Sequence, residues 1–283
     1  MITHPNVKIN LGLNVLSRRE DGYHNLETLF VPSADFSDTL EIVTGDDFSK
    51  TIGSFEGTPT VQAISPDGKL MISISRAEGV DWDPLKDLTA KAYFLLAQDF
   101  DLPPMKIYLQ KKSPVGAGLG GGSADAAFAL RMISSLAGLD LADDTLAACA
   151  ARLGSDCAFF IYNTPMFGSG RGEILEAFPL DLSRFNIKLY IPEGISVSTA
   201  DAYRGIVPAI PQKPLREVLL QDPATWKDEL KNDFETTVFR KYPALAGVKD
   251  RLYAEGALYA AMSGSGSAFS HSHTNRLLRS RKR

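Results

Sequence analysis

Pro114-Val-Gly-Ala-Gly-Leu-Gly-Gly-Gly-Ser-Ala-Asp-Ala-Ala127 decides how this chain is read. Gly116, Gly118, Gly120, Gly121 and Gly122 stand directly before a run of good helix formers, and Met105-Lys-Ile-Tyr-Leu-Gln110 just upstream reads as a strand. The order is strand, glycine loop, helix. Glycine tolerates positive φ and has no Cβ, so such a loop can turn its N–H groups inward and let a ligand approach the backbone. The helix that follows adds free N–H donors and the positive end of its dipole. Together these features make an anion site, best suited to phosphates.

Three other readings of the loop fare worse. A Walker A loop needs Gly, four residues and then Gly-Lys-Ser/Thr, and no Lys follows these glycines. Gly116, Gly118 and Gly121 satisfy G-x-G-x-x-G, but a dinucleotide fold wants a buried strand before the loop and a second strand ending in an acid about twenty residues past it. Here the strand is half polar and a second helix follows, with Asp140, Asp143 and Asp144 placed at its start as capping residues. A glycine turn with no ligand has to account for the conformational entropy that so many adjacent glycines lose on folding.

The 283 residues suggest one large or two medium domains. A 44% hydrophobic content can bury a core, and a net charge of −4 argues against bulk nucleic-acid affinity. Cys149 and Cys157 make no disulfide framework, so a reducing, cytoplasmic setting fits. The N-terminus lacks the basic-then-apolar order of a signal peptide, and no apolar run reaches membrane-spanning length. His4, His24, His271 and His273 make a poor metal site, because the last two lack acidic or Cys partners.

In chain order, Asn6-Val-Lys-Ile-Asn-Leu-Gly-Leu-Asn-Val-Leu16 alternates with period two, a strand whose second face carries Lys8, Asn10, Gly12 and Asn14. That face is either solvated or functional. Arg18-Arg-Glu-Asp-Gly-Tyr-His24 is a polar turn before the apolar run Leu26 to Val31, and Tyr23-His24 is either a turn with part-buried rings or a pair able to recognise a base. Thr39 to Val43 and Leu70 to Ser75 are strand candidates, and Asp83 to Ala97 reads as one amphipathic helix with Pro84 at its first position. Helices follow the glycine loop to about Ala137 and from Leu141 to Leu153, with Gly138 and Gly154 as stops. Asp156 comes next, as an N-cap or a catalytic acid. Phe167-Gly-Ser-Gly-Arg-Gly-Glu-Ile-Leu175 reads as a hairpin, and the pattern restarts with a strand at Asn186 to Ile191. A helix capped by Ser198 or Thr199, a helix beginning at Asn232-Asp-Phe-Glu235, and another ending at Leu252-Tyr-Ala-Glu-Gly256 lead to a second glycine-serine loop, Ala260-Ala-Met-Ser-Gly-Ser-Gly-Ser-Ala-Phe269.

The first glycine loop resembles the nucleotide-phosphate loop of the galactokinase, homoserine kinase, mevalonate kinase and phosphomevalonate kinase (GHMP) superfamily. Three motifs in that superfamily's order carry the likeness: an N-terminal strand with a basic residue, the central glycine loop, and the C-terminal glycine-serine loop. Lys8-Ile-Asn10, Asp21-Gly-Tyr-His24, Leu153-Gly-Ser-Asp156, Val197-Ser-Thr199 and Asn232-Asp-Phe-Glu235 are similar to the branch that phosphorylates a hydroxyl of a cytidine diphosphate conjugate on a route to isoprenoids.

The resemblance implies a two-domain α+β GHMP kinase fold, with domains over 1–180 and 181–283 and the active site in the cleft between them. It implies ATP and Mg²⁺, with ATP bound by Pro114, Val115, Gly116, Ala117, Gly118, Leu119, Gly120, Gly121, Gly122, Ser123 and Ala124. Asp156 matches the family's general base, which takes the proton of the attacking hydroxyl, and Lys8 matches the catalytic lysine beside it. His24 matches the residue that bonds the cytosine edge, Tyr23 and Tyr203 match the rings that sandwich the base, and Asn10 and Thr199 match polar contacts around the substrate.

The partners implied are this small molecule and ATP, with no nucleic acid and no membrane. No acidic residue in the loop is an obvious metal ligand, so Mg²⁺ is implied to be held largely by ATP and water. Two departures stand out. Lys112-Ser113 precedes Pro114 where the family has an apolar residue. The segment 270–283 is polar and basic where the family continues as an apolar strand, which predicts a disordered end or a tail that binds something. Another small-molecule kinase of the superfamily would keep Lys8 and Asp156 but leave the three rings without a base. A non-catalytic ATP sensor would need no general base.

Overall fold

The described residues form twelve strands and nine α-helices. The strands are β1 (Ile2–Thr3), β2 (Asn6–Arg18), β3 (His24–Ser37), β4 (Thr39–Thr44), β5 (Thr60–Ile64), β6 (Leu70–Arg76), β7 (Met105–Lys111), β8 (Met166–Ser169), β9 (Ile174–Ala177), β10 (Phe185–Tyr190), β11 (Tyr259–Met262) and β12 (Phe269–Thr274). The helices are α1 (Leu88–Leu96), α2 (Gly121–Leu136), α3 (Asp143–Leu153), α4 (Cys157–Tyr162), α5 (Thr199–Tyr203), α6 (Leu215–Leu219), α7 (Trp226–Glu229), α8 (Phe234–Lys241) and α9 (Pro243–Ala254). This computed structural model describes residues 1–183 and 185–274, with Thr274 described in its backbone alone.

The chain divides into two compact units, each gathered from separate stretches: 1–7, 36–115 and 120–163 in the first, 8–35, 116–119 and 164 onward in the second. They differ from a division at residue 180 because β2 and β3, near the start of the chain, join a sheet with β8 and β9.

The first unit is a five-stranded sheet in the order β1-β4-β7-β6-β5. β7 lies antiparallel to β4 and parallel to β6, and α1 supplies the crossover between β6 and β7. Leu40, Ile42, Leu70, Ile72, Ile74, Ile107 and Leu109 are fully buried, the alternate residues of strands with one face against helices. Alanines at 90, 92, 124, 126, 127 and 129 are buried in α1 and α2, and their small side chains let the two helices pack closely. The stretch Asp83 to Ala97 is not one helix. Asp83 caps a short 3₁₀ turn (Pro84–Lys86), and Asp87 then caps α1 by accepting from Thr89 N, so two good capping residues four apart divide the run. Before α3, Asp143 and Asp144 lie in the first turn rather than capping it, and Ala142 holds the cap position.

The second unit holds the sheets β2-β3-β8-β9 and β10-β12-β11. One core joins Ile9, Leu11, Leu29, Val31 and Phe167 to Leu215, Leu219, Trp226, Leu230 and Tyr259. A second packs Leu13 and Val15 against Phe234, Val238, Leu252, Met262 and Phe269.

The polar segment after Phe269 is a strand through Thr274, and it is the middle strand of its sheet, antiparallel to both β10 and β11. Pairing on both sides satisfies its backbone, and the serines at 270 and 272 are small enough to bury beside the residues opposite them, Ala261 and Tyr259. The expectation of a disordered end is therefore wrong as far as Thr274, and its remainder, 275–283, lies outside the described residues.

Candidate active site

β7 delivers the chain to the glycine loop and α2 carries it away. Gly116, Gly118 and Gly120 have φ of 72°, 77° and 72°, in the left-handed region that residues with a Cβ rarely enter. Gly120 occupies the cap position of α2 and has no side chain to spend on it. The first bond of the helix runs from Ala124 N to Gly120 O at 2.9 Å, so the N–H groups of Gly121, Gly122 and Ser123 precede the helix's own hydrogen-bond ladder. Ala117 and Leu119 are buried and pin the loop, while Val115, Gly116 and Gly122 are exposed. Pro114 and Ser123 are half-buried, and Ala124 is buried.

Residues Gly116 to Leu119 belong to the second unit, where they are bonded to β2 and to the glycine-serine loop. Lys8 N donates to Leu119 O at 2.9 Å, and Ala268 N donates to Ala117 O at 3.2 Å. Lys8 is 3% exposed, so the polar face of β2 is not solvated. Its Nζ donates to Asn10 Oδ1 at 2.6 Å and to Gly118 O at 2.9 Å, and it stands 5.5 Å from the centre of the Phe30 ring. Asn10 Nδ2 donates to Thr28 Oγ1 (3.0 Å), and Asn10 N donates to Ser263 Oγ (3.3 Å). β2 thus holds an ammonium and an amide against the backbone of both glycine loops.

The motif Asn232-Asp-Phe-Glu235 holds the second loop from behind. Asn232 Nδ2 donates to Met262 O and Gly264 O at 2.7 and 2.9 Å, and Glu235 Oε1 accepts from Met262 N at 2.8 Å. Burial pushes the Glu235 carboxyl up, and the Lys249 ammonium, 2.5 Å from Oε2, pulls it back. Asn232→Ala would strand two buried carbonyls at about 1–3 kcal/mol each, so we expect a melting temperature lower by roughly 5–10 °C, read by thermal denaturation.

Around the expected base-binding residues, the ring of His24 stacks on that of Tyr203 with centroids 4.8 Å apart and planes at 22°. Tyr203 sits at the end of α5 and is braced edge-on by Phe234 at 4.7 Å. Burial, and then the charge of Arg18, push the His24 imidazole below its ordinary value. A neutral ring carries one donor and one acceptor nitrogen. Tyr23 is 57% exposed, with the Arg171 guanidinium 4.9 Å from its ring centre. Glu173 aims that guanidinium, accepting from Arg171 N at 2.5 Å and from Nε at 3.3 Å. Thr199, exposed at the start of α5, lies 3.5 Å from Ser265 Oγ in the glycine-serine loop. Arg171, Thr28 and Ser263 were missed in the sequence. The glycine turn Gly170-Arg-Gly172 was the available signal for the first.

Asp156 belongs to the first unit, half-buried at the head of α4. It holds the cap position with φ −84° and ψ −11°, yet its side chain makes no capping bond. The capping alternative therefore does not account for it. Its neighbour Cys157 is buried, and burial chiefly, with the Asp156 charge adding, pushes that thiol up to about 12, which makes it inert.

Residues 87–164 match the family model for the GHMP kinases N terminal domain, and 213–270 match that for GHMP kinases C terminal. With both domain models matched in an α+β chain that carries a glycine loop entering a helix and a second glycine-serine loop, the protein is a GHMP kinase, and this class uses ATP. The chain is 45% identical over 268 residues to the 4-diphosphocytidyl-2-C-methyl-D-erythritol kinase of Bacteroides fragilis, covering 95% of this chain and 90% of that one. The corresponding kinase of Cytophaga hutchinsonii is 41% identical over 269 residues, covering 94% and 90%. A crystal structure of 4-(cytidine 5'-diphospho)-2C-methyl-D-erythritol kinase superposes with a TM-score of 0.73 at 30% identity, covering 96% of this chain and 89% of that one. The chain belongs to the 4-diphosphocytidyl-2-C-methyl-D-erythritol kinase family. A homoserine kinase from Cytophaga hutchinsonii, at 15% identity and a TM-score of 0.64 over 96% and 86% of the chains, shares the fold. Among the described residues no helix is long and apolar enough to cross a membrane.

Proposed function

We propose that the chain transfers the γ-phosphoryl group of ATP to the 2-hydroxyl of 4-diphosphocytidyl-2-C-methyl-D-erythritol, a step of the methylerythritol phosphate route to isoprenoid precursors. Its work is done in the cytoplasm. The N–H groups at the start of α2 and the loop from Pro114 to Ala124 hold the phosphates. Asp156 accepts the proton of the attacking hydroxyl, and the Lys8 ammonium offsets charge on the phosphoryl oxygens. Asn10 and Thr199 contact the substrate. Phosphoryl transfer passes through a loose transition state, so the protein's part is mostly positioning and electrostatics.

No group of three or more metal-ligating side chains occurs among the described residues. Mg²⁺ would come to the site on the nucleotide, held largely by ATP and water. When bound, Mg²⁺ supplies charge neutralisation on the phosphates.

The observation that carries the choice of substrate is the stacked pair of His24 and Tyr203, with Tyr23 next in sequence. A cytosine has faces for the aromatic rings and an edge for a neutral imidazole, whereas mevalonate and homoserine have no ring to place there. ATP consumption assayed with the cytidine substrate, mevalonate and homoserine tests this, alongside a titration with CDP. The expected result is Mg²⁺-dependent turnover with the cytidine substrate alone and saturable binding of CDP. Turnover of mevalonate or homoserine would replace the proposal with another kinase of the class. ATP binding without turnover of any of the three would make the chain a sensor.

A further inference from the structure

Asp38, Lys111, Ser113 and Asp125 form a polar cluster inside the first unit to which the phosphoryl-transfer chemistry gives no role. Their exposures are 1%, 7%, 4% and 1%. Lys111 ends β7, and Asp38 immediately precedes β4. Ser113 is the last residue before Pro114, and Asp125 lies in the second turn of α2. Lys111 Nζ donates to Asp38 Oδ2, and to Asp125 Oδ2 at 2.5 Å. Asp38 Oδ1 accepts from the backbone N–H groups of Lys112 and Ser113 at 2.6 and 2.7 Å, and Oδ2 accepts from Ser113 Oγ at 2.7 Å. Gly121 closes the ring of contacts: a Cβ there would lie 2.4 Å from Ser113 Oγ.

The residue that leads into the glycine loop and the first residue of the helix that leaves it therefore lie close together; the incoming limb is held by Asp38 through Ser113, and the helix by Lys111 through Asp125. Burial would raise the Asp38 carboxyl, but the Lys111 ammonium and the two N–H donors hold it below the usual range. Burial pushes Asp125 well above that range against the pull of Lys111, with the Asp38 and Asp87 charges adding to the rise. One ammonium thus stands between two buried acidic side chains and bonds to both, so removing any one of the three leaves the others without a partner they are buried with. Ser113 is the piece that ties the loop's incoming limb to this cluster, through its N–H and its hydroxyl.

A loop that binds phosphate through its backbone must have its N–H groups aimed before the ligand arrives, because ordering a glycine-rich segment during binding costs affinity. We propose that Asp38, Lys111 and Asp125, joined by Ser113, are positioning residues for the nucleotide loop: they set the spacing of its two limbs and so the affinity for the triphosphate, without touching it. This rests on the assignment of the loop to ATP.

The test measures ATP binding by calorimetry, and KM for ATP and for the cytidine substrate separately, in Asp125→Ala, Asp125→Asn and Ser113→Ala. Asp125→Ala is expected to raise KM for ATP about tenfold or more, with KM for the cytidine substrate within about twofold of the wild type. Asp125→Asn, which keeps the shape and an oxygen able to accept from Lys111, should recover most of that loss. Ser113→Ala removes one hydroxyl, leaves the ions in place, and decides the matter if Asp125→Ala does not fold; a rise of about threefold in KM for ATP is expected. Folded variants with unchanged affinity for ATP, or with both KM values rising together, would overturn the proposal. A wild type that binds no ATP would instead remove the assignment on which it rests.

Discussion

Asp156→Asn is expected to lower kcat by about two to four orders of magnitude, the range for loss of a general base, with KM for ATP little changed. The substitution keeps the size and polarity of the side chain and removes its capacity to accept a proton. Its local structure favours a clean result. Asp156 follows the extended Gly154 that ends α3, and the bond from Cys157 N to Gly154 O at 3.1 Å fixes the turn through backbone atoms. The side chain is not used as a helix cap, so no helix end is lost with it. Rapid-quench measurement of the phosphoryl-transfer step is the decisive readout. A loss below about tenfold would mean that a loose transition state needs no proton acceptor here and that positioning alone carries the rate.

Gly118→Ala should be nearly as damaging, through binding rather than chemistry, with KM for ATP raised by about a hundredfold or more. Two independent costs meet at this residue. Its φ of 77° is strained for any L residue, at about 1–2 kcal/mol. A Cβ would also lie 2.3 Å from Ser263 O and 3.0 Å from Gly266 N, which are backbone atoms and cannot swing aside. Relief requires the two glycine loops to part, and the carbonyl of Gly118 is one of the acceptors that hold Lys8. Gly247→Ala is the control. That glycine lies within α9 with open space around it, and alanine is the better helix former. Equal effects of the two substitutions on KM for ATP would refute the steric account.

What could be read from the sequence was whatever local chemistry dictates. β7, the loop and α2 were legible because five glycines precede a helical run and Gly138, with φ 67°, ends it. The hairpin of β8 and β9 and the cap at Ser198 were legible for similar reasons. What depends on distant partners was not. β12 carries no apolar alternation, and only pairing with both β10 and β11 makes it a strand. Lys111 gives no sign in sequence of Asp38, 73 positions away. The face of β2 bearing Lys8 and Asn10 looks solvated by pattern, and its burial against the two glycine loops decides otherwise. The roles of Lys8 and Asp156 came from resemblance, since spacing alone says nothing about residues so far apart.

The discontinuity of the second unit bears on how the protein is made. β2 and β3 leave the ribosome well before the segments that cover them: Ile9, Leu11 and Leu13 pack against Leu215, Leu230, Phe234 and Met262. Leu13 is also tied to the far end of the chain through bonds from its N–H to Lys231 O and from Asp233 N to its carbonyl. At about 5–20 residues per second, this apolar ribbon waits roughly ten to fifty seconds for its cover. The first unit can finish folding during that interval. The ribbon is then the part of the nascent chain most in need of a chaperone, and substitutions that make it stickier would act on yield before they act on catalysis.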